Sequence, residues 1–451
     1  MSNKTVISFF STIIYLFPLS IIIGNFFANS IVAISSLLFF IYSMVRKREN
    51  FNDIFFKIFF IFWLLIVIRS LFTIEILFSF KSSFLYIRYA FFCLLVKFLI
   101  INNKFFLENF FKINSILLIF ISIDALVQFY FGQNFFGMGA SQIENNRISG
   151  VFGSELVLGG FISKIAFLLF AINSINNKTY YNNLLILLFF LTIFITGERS
   201  SFLIFTIGIF YSFVFLNNKK IYLYFFIFIT ILITTVAFNI DTVKERMFSH
   251  TYKQLHSTTN DKISKNVFLF SEGHEILIFS SLKMFYQNPI FGIGPNLYRF
   301  ECANKKYFIS GEKYPNFSLK KELLTEWNKV RDKMGIAAAG PLPTERNAMV
   351  NHCNTHPHNY YVQILSETGI MGALFVFFAL ISFAIHSIKI FFIQIKENKY
   401  MDQYKIFIYS AIIVNIWPIT TTGNFFGSSA GNLFWLPVGF FLASLDLSSK
   451  K

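Results

Sequence analysis

Apolar runs of roughly bilayer-spanning length recur from one end of this chain to the other, and no other feature restricts its fold so strongly. A helix needs about 20 apolar residues to cross the hydrocarbon core. Runs of this kind lie near residues 6–26, 28–45, 54–74, 83–101, 111–131, 155–174, 183–197, 200–216, 221–239, 359–392, 405–421 and 430–446. The run at 359–392 is longer than one crossing requires. The pattern predicts an all-α polytopic membrane protein with about twelve transmembrane helices, because only closed backbone hydrogen bonding survives in lipid.

Composition agrees. Only 14% of the 451 residues are charged, against roughly 25% in an ordinary soluble domain. That excludes a water-soluble enzyme of this length. An aromatic content of 20% excludes a disordered chain. The net charge of +16 would point to nucleic acid in a soluble protein. Here the cations flank the apolar runs. Arg46, Lys47, Arg48, Lys104, Lys112, Lys178, Lys219, Lys220, Lys396, Lys399, Lys405, Lys450 and Lys451 all fall on one side if the spans alternate. The positive-inside rule makes that side cytoplasmic, with both termini on it, and predicts no nucleic-acid partner. The first run lacks a small-residue cleavage site and reads as a span, not a signal peptide.

Three parts follow: residues 1–239 with about nine spans, residues 240–358 as one large extracytoplasmic loop, and residues 359–451 with about three spans. The loop carries a helix-like stretch near 318–333 and reads as a lid over the bundle, not a separate domain. A connection this long favours a functional role. Cys302 and Cys353 both fall in it, where the compartment permits a disulfide; the alternative is two free thiols. Cys93 lies inside a span and reads as packing.

Charged groups at or within spans are costly and mark function by default. Arg88 sits near the outer end of the fourth run, and Asp124 and Gln128 lie one turn apart on the fifth. Arg147 and Glu155 bracket the outer stretch before the sixth, and Arg199 lies in the short turn Gly197-Glu198-Arg199. Each also has a plainer reading: Arg88 as a snorkelling side chain, Asp124 and Gln128 as helix–helix glue, Arg147 as a loop charge, Arg199 as a turn cation at the headgroups. The long loop adds His274, the Pro- and Gly-built turn Asn288 to Pro295, and the closing sequence His356-Pro357-His358-Asn359. His356 and His358 do not make a helical metal pair and lack obvious carboxylate or Cys partners, so no metal site is expected. Arginines with a neutral histidine on one outer face suit an anionic lipid headgroup, especially a pyrophosphate, and proton transfer from a sugar hydroxyl.

The segment His358-Asn359, nine residues, Gly369, two residues, Gly372 resembles the signature of the O-antigen ligase and O-antigen polymerase superfamily. Arg147 to Phe152, the Gly197-Glu198-Arg199 turn and the Met284 to Gly294 segment fit the same pattern across roughly residues 85–440. The resemblance implies a GT-C-like membrane glycosyltransferase, metal-independent and inverting, without a cofactor, in the bacterial inner membrane with its active site facing the periplasm. Its donor would be undecaprenyl-pyrophosphate-linked glycan. Its acceptor would be a sugar of the lipid A core in a ligase of lipopolysaccharide biosynthesis, the favoured reading, or a second lipid-linked glycan in a polymerase. The family's histidine maps onto His358 and one arginine onto Arg199, and the place of a second arginine holds His274. Arg147, Arg88 and Arg299 are candidates for the missing cation, with His356, Asn359 and Glu155 beside the substrate. The rival from another class is a transporter or flippase of lipid-linked glycan, which should carry its charges near the midplane. Here they gather at one surface.

Overall fold

A computed structural model describes residues 3–46, 51–140, 147–175, 179–216, 239–249, 270–310, 352–397 and 402–449, with short stretches between 224 and 267 and at 329–331 and 349–350. Helices stand at every apolar run except that near 221–239, which falls largely outside the described residues. They are α1 (Asn3–Ile23), α2 (Asn25–Arg46), α3 (Ile54–Ser70), α4 (Ile76–Phe84), α5 (Arg88–Asn102), α6 (Phe106–Phe131), α7 (Leu158–Ser174), α8 (Thr179–Ile195) and α9 (Arg199–Phe215). After the short α10 (Asp241–Lys244) come α11 (Glu272–Gln287), α12 (Tyr298–Glu301), α13 (Tyr360–Glu397), α14 (Gln403–Ile416) and α15 (Ser428–Ser449). Among the described residues, five helical segments are long and apolar enough to cross a membrane, and four apolar helices are shorter. This is an all-α membrane architecture, with two small antiparallel ribbons besides: β1 (His256–Thr259) with β2 (Lys262–Val267), and β3 (Ile309–Ser310) with β4 (Met349–Val350). The helix expected near 318–333 lies almost wholly outside the described residues.

The centre of the bundle is α5 and α7, which bury nearly every side chain. α5 packs against α15 and α2, and α7 against α14 and α8. Away from the site, Lys97 joins Asp53 at 2.6 Å and Asp446 at 2.8 Å, pinning α5 to the start of α3 and to α15.

Three elements depart from the sequence reading, each for a local reason. Residues 74–82 read as a connection, with Ser79, Lys81 and Ser82 breaking the apolar pattern, yet from Ile76 onward they belong to α4. Two of its serines meet the outer segment: Ser79 Oγ donates to Pro295 O at 2.9 Å, and Ser82 Oγ accepts from Asn296 Nδ2 at 3.1 Å. The run at 405–421 ends early, at Ile416, since Trp417 precedes Pro418 and takes an extended conformation. The overlong run at 359–392 is α13, broken at Gly369 (φ 64°, ψ −163°), so the segment before the break belongs to the site.

That break is a docking seam. Ile293 and Gly294 donate their N–H groups to Ser366 O and Glu367 O at 2.8 and 2.9 Å, and Ile370 N–H donates to Pro289 O at 2.8 Å. Arg69 of α3 clamps the same turn, donating to Gly292 O at 2.7 Å and Phe291 O at 3.2 Å. The backbones approach so closely that a Cβ on Gly369 would overlap the Ile290 carbonyl, and one on Gly292 the backbone of Glu367. Gly369 also sits in a region of φ/ψ space open essentially to glycine alone. Gly369→Ala is therefore expected to destabilise the protein by about 3 kcal/mol or more. A thermal melt in detergent within a degree or two of the parent would refute the seam.

Candidate active site

The site forms where loops from distant parts of the chain meet. His358 immediately precedes α13, with only Asn359 between. It and Asn296 are the two non-glycine residues with positive φ among those described, at 54° and 60°. Such strain persists only where the surroundings impose it. Here the imposing contact is the connection after α14: Thr422 N–H donates to His358 O at 2.7 Å, and Thr422 O faces His356 Nε2 at 3.1 Å. Three imidazoles meet as a result. The His356 and His358 ring centroids are 4.1 Å apart, and His274 meets His358 edge-on at 5.2 Å.

The hydrogen bonds fix which nitrogens are basic. Asn354 Oδ1 accepts from Thr355 N–H at 2.7 Å, so its amide nitrogen donates to His358 Nε2 at 3.0 Å. His358 Nε2 thus holds a lone pair. His356 has both ring nitrogens engaged, Nε2 by Thr422 O and Nδ1 by Thr355 Oγ1 at 2.9 Å. It is buried and acts as a prop, whereas His358 is only half-buried. Burial keeps the imidazoles neutral. Desolvation, then the neighbouring His358, His352 and Arg199, bring His274 down to about 4. Desolvation and His358 bring His352 to about 4, and His356 falls to about 3 for the same reasons, with Arg299 contributing. Desolvation lowers His358 too, opposed by its ring's hydrogen bond to the Thr422 backbone.

Arg199 is the first residue of α9. A cation there opposes the helix dipole, a local conflict that a bound anion would relieve. The preceding residue explains the turn. Buried Glu198 accepts from Gly159 and Gly160 N–H at 2.8 and 3.0 Å and from Ser201 Oγ at 2.7 Å. Its carboxylate caps α7 and ties it to α9. Desolvation raises its pKa, and those bonds and Arg147 oppose the rise. Arg199 itself donates to Thr251 Oγ1 at 3.0 Å.

Other expected residues have other employment. Asn359 is a helix cap: its Oδ1 accepts from Tyr361 and Val362 N–H at 3.1 and 3.2 Å, and its Nδ2 donates to Pro418 O at 3.0 Å. Arg88 lies over the Tyr89 ring, 4.9 Å from its centroid, and no contact joins it to the histidines. Glu155 is exposed, and its backbone N–H donates to Phe152 O; none of its contacts brings its carboxylate to the cluster. Asp124 accepts from Asn134 Nδ2 and Phe135 N–H. Gln128 Oε1 accepts from Ser149 and Gly150 N–H at 3.0 and 2.8 Å, fixing the loop that bears Arg147. Arg147 lies near enough to Glu198 for its charge to oppose the rise of that carboxyl.

Cys302 and Cys353 are disulfide-bonded, with Cα atoms 5.3 Å apart, joining α12 to the histidine segment. Cys302→Ser is expected to lower stability by about 2–4 kcal/mol, with a smaller effect on turnover of the folded fraction. A melting temperature equal to the parent's under oxidising conditions would contradict this.

Residues missed from sequence are His352, Asn354, Thr422 and the capping role of Glu198. A signal existed for the first two. Three of the seven histidines in the chain lie within 352–358, interleaved with Asn and Thr.

A family model described as O-antigen ligase matches residues 184–325. The match bears out the resemblance read from the motifs. It runs from within α8 through Arg199 and His274 to beyond Arg299, and stops short of His358. No curated protein matches the chain significantly.

Proposed function

With residues 184–325 of the O-antigen ligase family as premise, we propose that the protein is a ligase-like glycosyltransferase of the bacterial inner membrane. It moves a glycan from undecaprenyl pyrophosphate to a sugar hydroxyl of the lipid A core, on the periplasmic face. The family match supports an O-antigen ligase or polymerase-type function in general. The observation that carries the finer reading is His358: a half-buried imidazole held neutral, with its Nε2 lone pair aimed at a donor and its backbone strained into place.

In this reaction the acceptor hydroxyl replaces the Asn354 amide as the donor to His358 Nε2. The hydroxyl proton passes to Nε2 as the oxygen forms a bond to C1 of the donor sugar. The C1–O bond to the pyrophosphate breaks, and its electron pair stays on the phosphate oxygen. Attack opposite the leaving group inverts C1. Arg199 and the start of α9 face the departing charge, a compensation that needs no divalent cation. His274 and His356 stay neutral and crowd His358 with uncharged rings, which keeps it in the basic form until the acceptor delivers its proton.

The test is reconstitution in liposomes with lipid-pyrophosphate-linked glycan, chelator, and two acceptors offered separately. Transfer to lipid A core is the expected result. A ladder on the second lipid-linked glycan would make the protein a polymerase using the same residues. Movement of donor lipid across the bilayer without transfer would overturn the catalytic reading.

A further inference from the structure

α11 belongs to the outer segment, yet one of its two faces is apolar and open. The other face is buried through Ile276, Leu277, Ser280, Ser281 and Met284, and α11 packs against α13. Ile278, Phe279, Leu282, Phe285 and Tyr286 follow the three-, four- and seven-residue spacing of a second stripe. All five are at least partly exposed, Phe279 by 42% and Tyr286 by 75%. Lysines border the stripe. Lys283 Nζ donates to Phe308 O at 2.6 Å, and Gln287 Nε2 donates to Lys306 O at 3.3 Å. These bonds hold the turn bearing Lys305 and Lys306 beside α11, with both lysines exposed. An apolar face with a basic edge is how a helix lying in the plane of a membrane surface is built.

The stripe continues past the end of the helix. In the turn that follows, Ile290 is 57% exposed and Phe291 51%. Pro289 O and Ile290 O accept from Ile370 and Met371 N–H at 2.8 and 3.2 Å. Ile370 in turn heads the exposed row Ile370, Leu374, Phe377 and Ile381 on α13, a helix apolar enough to span. Such a row on a spanning helix faces lipid. Arg69 ties the same turn to the outer end of α3, donating to Phe72 O at 2.6 Å and to Phe291 O at 3.2 Å, and Phe72 is exposed. The α11 stripe therefore runs without a break into the lipid-facing sides of two spans. An apolar surface of that extent is rare where a protein meets water.

We propose that α11 is an in-plane membrane anchor, with its stripe and the Ile290–Phe291 tip seated in the outer leaflet of the bilayer that α13 crosses. The lysine edge meets the lipid phosphates. The outer segment is then a membrane-seated element and not a lid in water. His274 stands one turn before Ile278 on the same row of the helix, so the anchor sets the height of the histidine cluster over the hydrocarbon. The inference requires neither the donor nor the acceptor assigned above.

The experiment uses the full chain in vesicles of phosphatidylcholine and phosphatidylglycerol, with its disulfide intact. Nitroxides attached at Phe279→Cys and Tyr286→Cys report collisions with oxygen, which concentrates in lipid, and with a nickel chelate, which stays in water. Oxygen collisions should dominate at both positions, at a depth of about 5–10 Å into the boundary between headgroups and acyl chains. Lys305→Cys should show the reverse. Nickel dominating at Phe279→Cys or Tyr286→Cys puts the stripe in water and overturns the anchor. Few collisions with either reagent also overturns it, because the face is then covered by protein. A second measurement needs no variant: a diazirine dissolved in the lipid should label the peptides carrying Phe279 and Tyr286 as heavily as those of α13. Label confined to the spans would overturn the proposal independently.

Discussion

His358→Ala should lower glycan transfer by about a thousandfold, within the range of a lost general base, while the protein still inserts and folds. The effect follows from geometry. His358 combines a lone pair at Nε2 with partial exposure at the head of α13, whereas both nitrogens of His356 are occupied and His274 is engaged at Nδ1 by Ser271 Oγ. The pH profile gives a second reading of the same residue. Desolvation lowers its pKa below the ordinary imidazole value, about 6.5. Its neutral form is the reactive one, so rate is lost as pH falls through that lowered value. Transfer should stay level from pH 8 down past about 6.5 and decline only in more acid solution. A decline centred at or above that value, or a His358→Ala protein with near-parental rate, would remove His358 from the chemistry.

Arg199→Ala comes second in expected size, at about a hundredfold or more, as for the loss of one preorganised donor to a developing anion. The fold should tolerate it, because the turn is held by Glu198 and not by Arg199: the carboxylate bonds to Gly159, Gly160 and Ser201 are untouched. Arg199→Lys should recover only part of the rate, since an ammonium cannot make the bidentate contact. Single-turnover transfer with saturating donor lipid separates the step from binding. The idea fails if Arg199→Ala loses affinity for donor and keeps the parental single-turnover rate. Glu198→Ala tests the opposite logic: it should cost stability first, by releasing the start of α7.

The helices were legible because lipid imposes one simple rule, and the chain obeys it run after run. The site was legible in part, where residue types conflict with their surroundings: a cation opening a helix at Arg199, a histidine before a glycine-broken span at His358. What stayed hidden depends on pairing across long stretches of chain. The sequence places Glu198 in a short polar turn, but its capping role appears only when Gly159 and Gly160, 39 and 38 positions earlier, present their amides to it. Asn359 reads as a substrate ligand because it adjoins His358, yet capping a helix that bears it inward uses up its carboxamide. Ser79 and Ser82 hid a helix because their partners Pro295 and Asn296 lie in a turn more than two hundred residues away.

The seam between the Pro-Gly turn and the broken α13 also sets when the site can come into being. The amides of Asn296 and Tyr298 find their acceptor 71 and 69 positions further along the chain, on Glu367. During synthesis the first nine helices and the outer segment emerge while those acceptors are still unmade. Until α13 is made and kinks at Gly369, the turn keeps its contacts to Arg69 and Ser79 but lacks the backbone seam and the Glu367 anchor. The reactive arrangement is thus assembled at the end of biogenesis, by the C-terminal helices closing over parts delivered earlier. A chain that stalls before α13 is a membrane protein without a catalyst in it.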